Sequence, residues 1–117
     1  MGDVSRLLTL FNSCRPFFIA LGDEVRLHII HSLAEQSIRA GTSALPCRGL
    51  NVNEITERTS LSRPAVSHHL KILRDSGLVD IQREGTCNYY YLTLKNSTQE
   101  LMELGACLQE FFDSGDI

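Results

Sequence analysis

The sequence predicts a mainly α-helical fold carrying one small β-hairpin, in a single domain over residues 1–117. Three observations carry that expectation. Apolar residues recur at three- and four-residue spacing along most of the chain. Residues 78–83 and 88–94 instead alternate and are rich in β-formers, with Glu84-Gly85-Thr86 as a turn between them. Two short helical stretches are separated by the polar break Thr59-Ser60-Leu61-Ser62. A chain of 117 residues, 43% hydrophobic and 21% charged, can bury a core without disulfides or metal.

Val4, Leu7, Leu8 and Phe11 give a first amphipathic helix over about residues 3–15, which Pro16 is expected to end or kink. Asp23 is a good N-cap for a second helix whose buried stripe is Val25, Ile29, Ile30 and Leu33. Arg39 to Gly49, within the 37–50 region, reads as a long loop, an insertion or a mobile segment. Asn53 is expected to cap a short helix containing Ile55. Ser62 caps the next helix, with Pro64 in its first turn, Ala65, Val66, Leu70 and Leu73 inward, and Gly77 as its stop. In the second strand Tyr90, Leu92 and Leu94 share one parity and face the core. Ser97 is expected to cap a last helix with a wide stripe of Leu101, Leu104, Leu108, Phe111 and Phe112.

The net charge is −3, which argues against a generic nucleic-acid coat protein. The charge is unevenly spread, however. Residues 60–74 carry Arg63, Lys71 and Arg74 with no acid, and residues 97–117 carry five acids with no base. No apolar run approaches the ~18 residues of a membrane span, and no secretory signal opens the chain. The expectation is therefore a cytoplasmic protein with no membrane partner, whose four cysteines are thiols. Those cysteines form no CxxC or CxC pair, so no zinc knuckle is indicated. There is no nucleophile elbow, phosphate-binding glycine loop or paired-carboxylate motif, so neither catalysis nor a cofactor is expected.

Two short helices joined by a tight turn and followed directly by a hairpin describe a winged helix-turn-helix. A helix fits the DNA major groove and places its first side chains on base edges. Burying Val66, Leu70 and Leu73 turns Arg63, Ser67, Lys71 and Arg74 outward, with His68 beside them. Arg63 and His68 can donate to guanine, and Ser62 and Ser67 can bond phosphate or base edges. Lys71 and Arg74 suit phosphate, and Arg83 at the hairpin tip can reach an adjacent groove. The partner expected is double-stranded DNA. A winged helix used for protein–protein contact is the competing reading, and the acid-free run from Arg63 to Arg74 favours DNA over it.

The stretches ALGDEVRLHII (20–30), LNVNEITERTSLSRPAVSHHLKILRDSGLV (50–79) and REGTCNYYYL (83–92) resemble ArsR-type transcriptional regulators over roughly residues 17–94. SRPAVSHHLKILRDSGLV is the most specific part. The chain departs from many members in having Glu24-Val25 after the Gly-Asp pair, and in its longer 37–50 loop. The resemblance implies a homodimeric repressor with its interface on the first and last helices, released from DNA by a ligand. It also aligns Asn51 and Asn53 with the family's thiolate metal ligands, and neutral amides do not serve thiophilic ions. The last helix has no histidine, so the family's second metal site is missing too. His28 and His31, at i and i+3, lack an evident third ligand, and no metal is expected. Cys14 and Cys107 fall on the two helices that the resemblance brings together, where a thiol pair for metalloid or redox sensing competes with two small core residues. His69 sits at a pattern position that is structural or near phosphate.

Overall fold

In the computed structural model, which describes residues 4–40, 49–93 and 95–115, six helices and one two-stranded antiparallel sheet follow in order. They are α1 (Val4–Ser13), α2 (Arg15–Leu21), α3 (Glu24–Ala40), α4 (Val52–Thr59), α5 (Arg63–Asp75), β1 (Val79–Glu84), β2 (Cys87–Leu92) and α6 (Lys95–Ser114). Leu94, residues 41–48 with Cys47, and most of the expected 39–49 loop lie outside the described residues.

The first helical region does break beside Pro16: α1 ends at Ser13 and α2 begins at Arg15. Pro16 opens α2, because a proline in the first turn gives up an N–H that would have no intrahelical partner. The chain pauses only at Cys14, and Phe17 and Ala20 of α2 enter the core. Asp23 caps α3 as expected, its Oδ1 accepting from the Val25 and Arg26 amides at 2.8 and 3.2 Å. Those bonds, the Arg26 amide foremost and helped by the charge of Arg26, hold the Asp23 carboxyl below its ordinary value. A carboxylate with a lowered folded-state pKa stabilises the protein above the unfolded value of about 4, and that contribution is lost as pH falls through the folded value. Asp23→Asn, which can still cap, is therefore expected to flatten the loss of stability below about pH 4 in urea melts taken across the acid range.

Asn51, not Asn53, caps α4. Its side chain accepts from the Glu54 amide at 2.8 Å, and the Glu54 carboxylate accepts from the Asn51 amide at 3.1 Å. Only Asn51 has a glutamate three residues on, which decides between the two asparagines. Ser62 caps α5 through Ala65 N at 3.3 Å, and Gly77 stops it at φ 81°. There Leu78 N donates to Leu73 O and Gly77 N to Arg74 O, both at 3.0 Å, closing the last turn. The hairpin pairs Glu84 with Cys87, so its loop is the two residues Gly85 and Thr86 rather than three. Leu50 adds one antiparallel rung to β2, exchanging hydrogen bonds with Tyr90 at 2.9 and 2.8 Å. Helix α6 is already helical at Lys95, so Ser97 lies inside it and is not its cap.

The main core gathers Phe17, Ala20, Ile29, Leu33, Leu50, Ile55, Val66, Leu70, Leu73, Leu78 and Val79, with Tyr90 and Leu92 packed against it. A second cluster of Leu10, Cys14, Leu104, Cys107 and Phe111 joins α1 to α6. This corrects the first-helix stripe. Leu7 and Leu10 face α6, while Val4, Leu8 and Phe11 stay exposed. Met102 and Phe112 of α6 are also open, at 70% and 67% exposure, which leaves the α1–α6 pair with an uncovered apolar surface.

Candidate nucleic-acid interface

Helix α5 presents two chemically opposite faces. Val66, Leu70 and Leu73 are at most 1% exposed, while Arg63, Ser67, His68, Lys71 and Arg74 are all open to solvent. Ser62 is exposed as well, its hydroxyl oxygen accepting from the helix and its O–H left to donate. Arg83 lies on the exposed wing, with Nε donating to the Gly85 carbonyl at 3.1 Å. A cleft of about 200 Å³ separates the start of α4, Arg63 and the wing turn, and is lined by Asn51, Asn53, Thr86, Cys87 and Tyr90. The fold thus sets the beginning of α5 and the wing side by side, although 20 residues separate Arg63 from Arg83.

The cations are not bare. Arg63 Nη1 donates to Asn53 Oδ1 of α4, so the residue expected to cap that helix instead steadies the leading arginine of the next. Lys71 donates to Asp75 at 3.0 Å, and Arg74 lies 3.6 Å from Asp80. Both acids fall just outside the acid-free run of the sequence. The Lys71–Asp75 pairing is visible there as an i, i+4 spacing, whereas Arg74–Asp80 depends on the turn into β1. Side chains in these pairs are more than half exposed, and such pairs contribute about 0–1 kcal/mol, so a phosphate can displace the acid. The exposed His68 ring stands obliquely beside that of His69, centroids 5.7 Å apart.

Both histidines on α3 are engaged by protein groups. His28 Nε2 donates to the Arg58 carbonyl at 3.0 Å, tying α3 to the end of α4, and His31 Nε2 lies 2.8 Å from Glu35. Glu35, one turn beyond His31, is a carboxylate neighbour that the histidine spacing alone does not bring to notice. Among the described residues no group of three or more His, Cys, Asp or Glu is placed to hold a metal ion.

Cys14 and Cys107 share the α1–α6 cluster, both fully buried, and Cys14, Cys87 and Cys107 are free thiols. Burial, with the Glu100 and Glu103 charges adding to it, pushes the Cys14 thiol up and disfavours its thiolate. Cys87 is half-buried at the wing, 3.9 Å from Asn51 Nδ2. Iodoacetamide at neutral pH is therefore expected to alkylate Cys87 well before Cys14 in the native protein, as read by peptide mass spectrometry. Equal rates would contradict the packing of α1 on α6.

Comparison with known proteins agrees with this arrangement. The pattern describing "Bacterial regulatory protein, arsR family" matches residues 43–80, which contain α4 and α5. An uncharacterized HTH-type transcriptional regulator of Methanocaldococcus jannaschii is 31% identical over 80% of this chain and 92% of its own length. The cadmium resistance transcriptional regulatory protein CadC of Listeria innocua is 35% identical over 84% of this chain and 72% of its own. Among solved structures, a homodimeric winged helix-turn-helix DNA-binding domain from Mycobacterium bovis, a possible ArsR-family regulator, superposes with a TM-score of 0.62. It covers 97% of this chain and 94% of that one at 23% identity, a likeness that shows the fold. The family pattern thus falls on the helix-turn-helix, relatives align along most of the sequence, and the chain belongs to the ArsR family of bacterial regulatory proteins.

Proposed function

We propose that this transcriptional regulator is a homodimeric repressor that holds an inverted-repeat DNA site through α5 and the wing of each protomer. The observation that carries the reading is the two-faced α5. Its apolar stripe is spent on the core, and Arg63, Ser67, His68, Lys71 and Arg74 are left on one open side. Arg63 and His68, near the helix start, read base edges, while Lys71, Arg74 and Arg83 hold phosphate, with Ser62 and Ser67 at the boundary. The whole of residues 1–117 serves as one DNA-binding domain with α1 and α6 as its dimerisation helices. Val4, Leu8, Phe11, Met102 and Phe112 supply the apolar surface that a second copy would cover. The working place is the cytoplasm, with no catalytic step and no membrane partner. No helix among the described residues is long and apolar enough to cross a membrane.

The releasing signal is assigned to no metal site. A thiol signal that reached Cys14 and Cys107 would act inside the α1–α6 pair, and so on the spacing of the two recognition helices. Selection of bound duplexes from a random pool with purified protein tests the proposal. It predicts enrichment of a short inverted repeat by a protein that sediments as a dimer. A monomer at micromolar concentration, or an enriched sequence without two-fold symmetry, would contradict it.

A further inference from the structure

Arg26, in the first turn of α3, has a side chain only 11% exposed, and it is committed to three helices at once. Its Nε donates to the Ala20 carbonyl at 2.7 Å and Nη2 to the Ile19 carbonyl at 3.0 Å, closing the C-terminal end of α2. Asp23, the cap of α3, lies 3.9 Å from Nη1. The same Nη1 reaches Nδ1 of His69, in the middle of α5, at 3.2 Å. A guanidinium has donors only, so Nδ1 of His69 is the acceptor, and the ring is neutral with its proton on Nε2.

The apolar stripe of α5 anchors the helix to the core, but burial of that kind is non-directional and fixes roll about the helix axis weakly. A planar guanidinium held by two carbonyls is directional. It pins His69, and His69 precedes the core residue Leu70 and follows His68, whose ring stands beside it on the open side. A small rotation of α5 would swing His68 and Ser67 across the base edges while leaving flexible Lys71 and Arg74 in reach of phosphate.

We propose that Arg26 is a positioning residue for base readout, setting the roll of α5 through Nδ1 of His69, an inference that rests on the DNA-binding reading of α5. Loss of the contact therefore lowers discrimination between DNA sequences more than it lowers general attraction to DNA. Arg26 itself touches no DNA and acts through His69 alone.

The test compares wild type with Arg26→Gln, His69→Leu and His69→Asn on the selected duplex and on a scrambled one. The Asn side chain puts an oxygen near the place of Nδ1 and restores an acceptor for Arg26, whereas Leu does not. Arg26→Gln and His69→Leu are expected to lose roughly tenfold or more in the ratio of the two affinities, the scale of a charge-assisted hydrogen bond. The salt slope on scrambled duplex should stay as in wild type, and His69→Asn should keep its ratio within about threefold of wild type. Nitrogen NMR of the wild-type ring is expected to show an unprotonated Nδ1. Arg26→Gln removes a buried group and can fail to fold, so the two His69 variants, with folding checked by thermal melts, carry the decision. A folded His69→Leu that discriminates like wild type overturns the proposal, as does a His69→Asn that falls as far as His69→Leu, or a proton found on Nδ1. A wild type that discriminates between no sequences overturns the DNA reading and this proposal together, whereas a discriminating wild type with an equally discriminating His69→Leu overturns this proposal alone.

Discussion

Gly49→Ala is expected to be the most destabilising single-methyl change in the described chain, costing about 3 kcal/mol or more. A Cβ at Gly49 would stand 1.8 Å from the Tyr90 carbonyl oxygen and 2.4 Å from its carbon. Both are backbone atoms of a paired strand, so neither can swing aside. Relief requires parting the segment from β2, which breaks the two Leu50–Tyr90 hydrogen bonds and lifts Leu50, fully buried, out of the core. Apolar burial and paired backbone are lost together. Thermal or urea unfolding checks this: a drop in melting temperature of roughly 10 °C or more is expected for a domain of this size. A variant melting with wild type would contradict the rung that ties α4 to the wing.

The largest expected effect on binding belongs to Arg63. Arg63→Ala should cost about 1–3 kcal/mol on a selected duplex and relax the preference at one position of each half-site, as loss of a bidentate base contact does. His68→Ala should act in the same way at a neighbouring position. Lys71→Ala and Arg83→Ala should weaken all duplexes alike and flatten the salt dependence, because phosphate contacts carry no sequence information. Asp75→Asn frees Lys71 from its 3.0 Å partner and is expected to raise affinity for every sequence modestly. Titrations at several salt concentrations separate the two classes. A Lys71→Ala that changes the preferred sequence, with an Arg63→Ala that does not, would reverse the docking direction of α5.

Where the sequence is legible, the governing physics is local. Asp23 and Ser62 cap their helices, Gly77 stops α5 and the turn at Gly85 closes the wing, each through atoms within a few residues. The two faces of α5 follow from helical periodicity alone, so the residues on its open side can be named from the sequence. The positions where the structure refines or departs from expectation are those where one local signal has two outcomes. Pro16 breaks a helix interior equally well as it begins a new helix, and burial of Phe17 and Ala20 decides for the second. Asn51 and Asn53 are equal caps by type, and Glu54 settles the choice. What stays illegible is tertiary. The Arg26–His69 contact joins residues 43 apart, the Arg74–Asp80 pair depends on the turn after α5, and the need for glycine at 49 arises only when β2 comes alongside. The apolar residues of α1 look like one stripe, yet the structure divides them between α6 and solvent, a division that matters only if a second copy arrives.

The proposed dimer requires a second copy, with α1 and α6 holding two α5 helices at one fixed separation so that they would read two half-sites on the same face of DNA. Affinity for the selected inverted repeat, measured before and after inserting base pairs between its halves, addresses this directly. An insertion of about five base pairs turns one half-site to the opposite face of the duplex and is expected to reduce binding to the level of a single half-site. Undiminished affinity for the half-turn insertion would contradict a rigid dimer reading both halves at once.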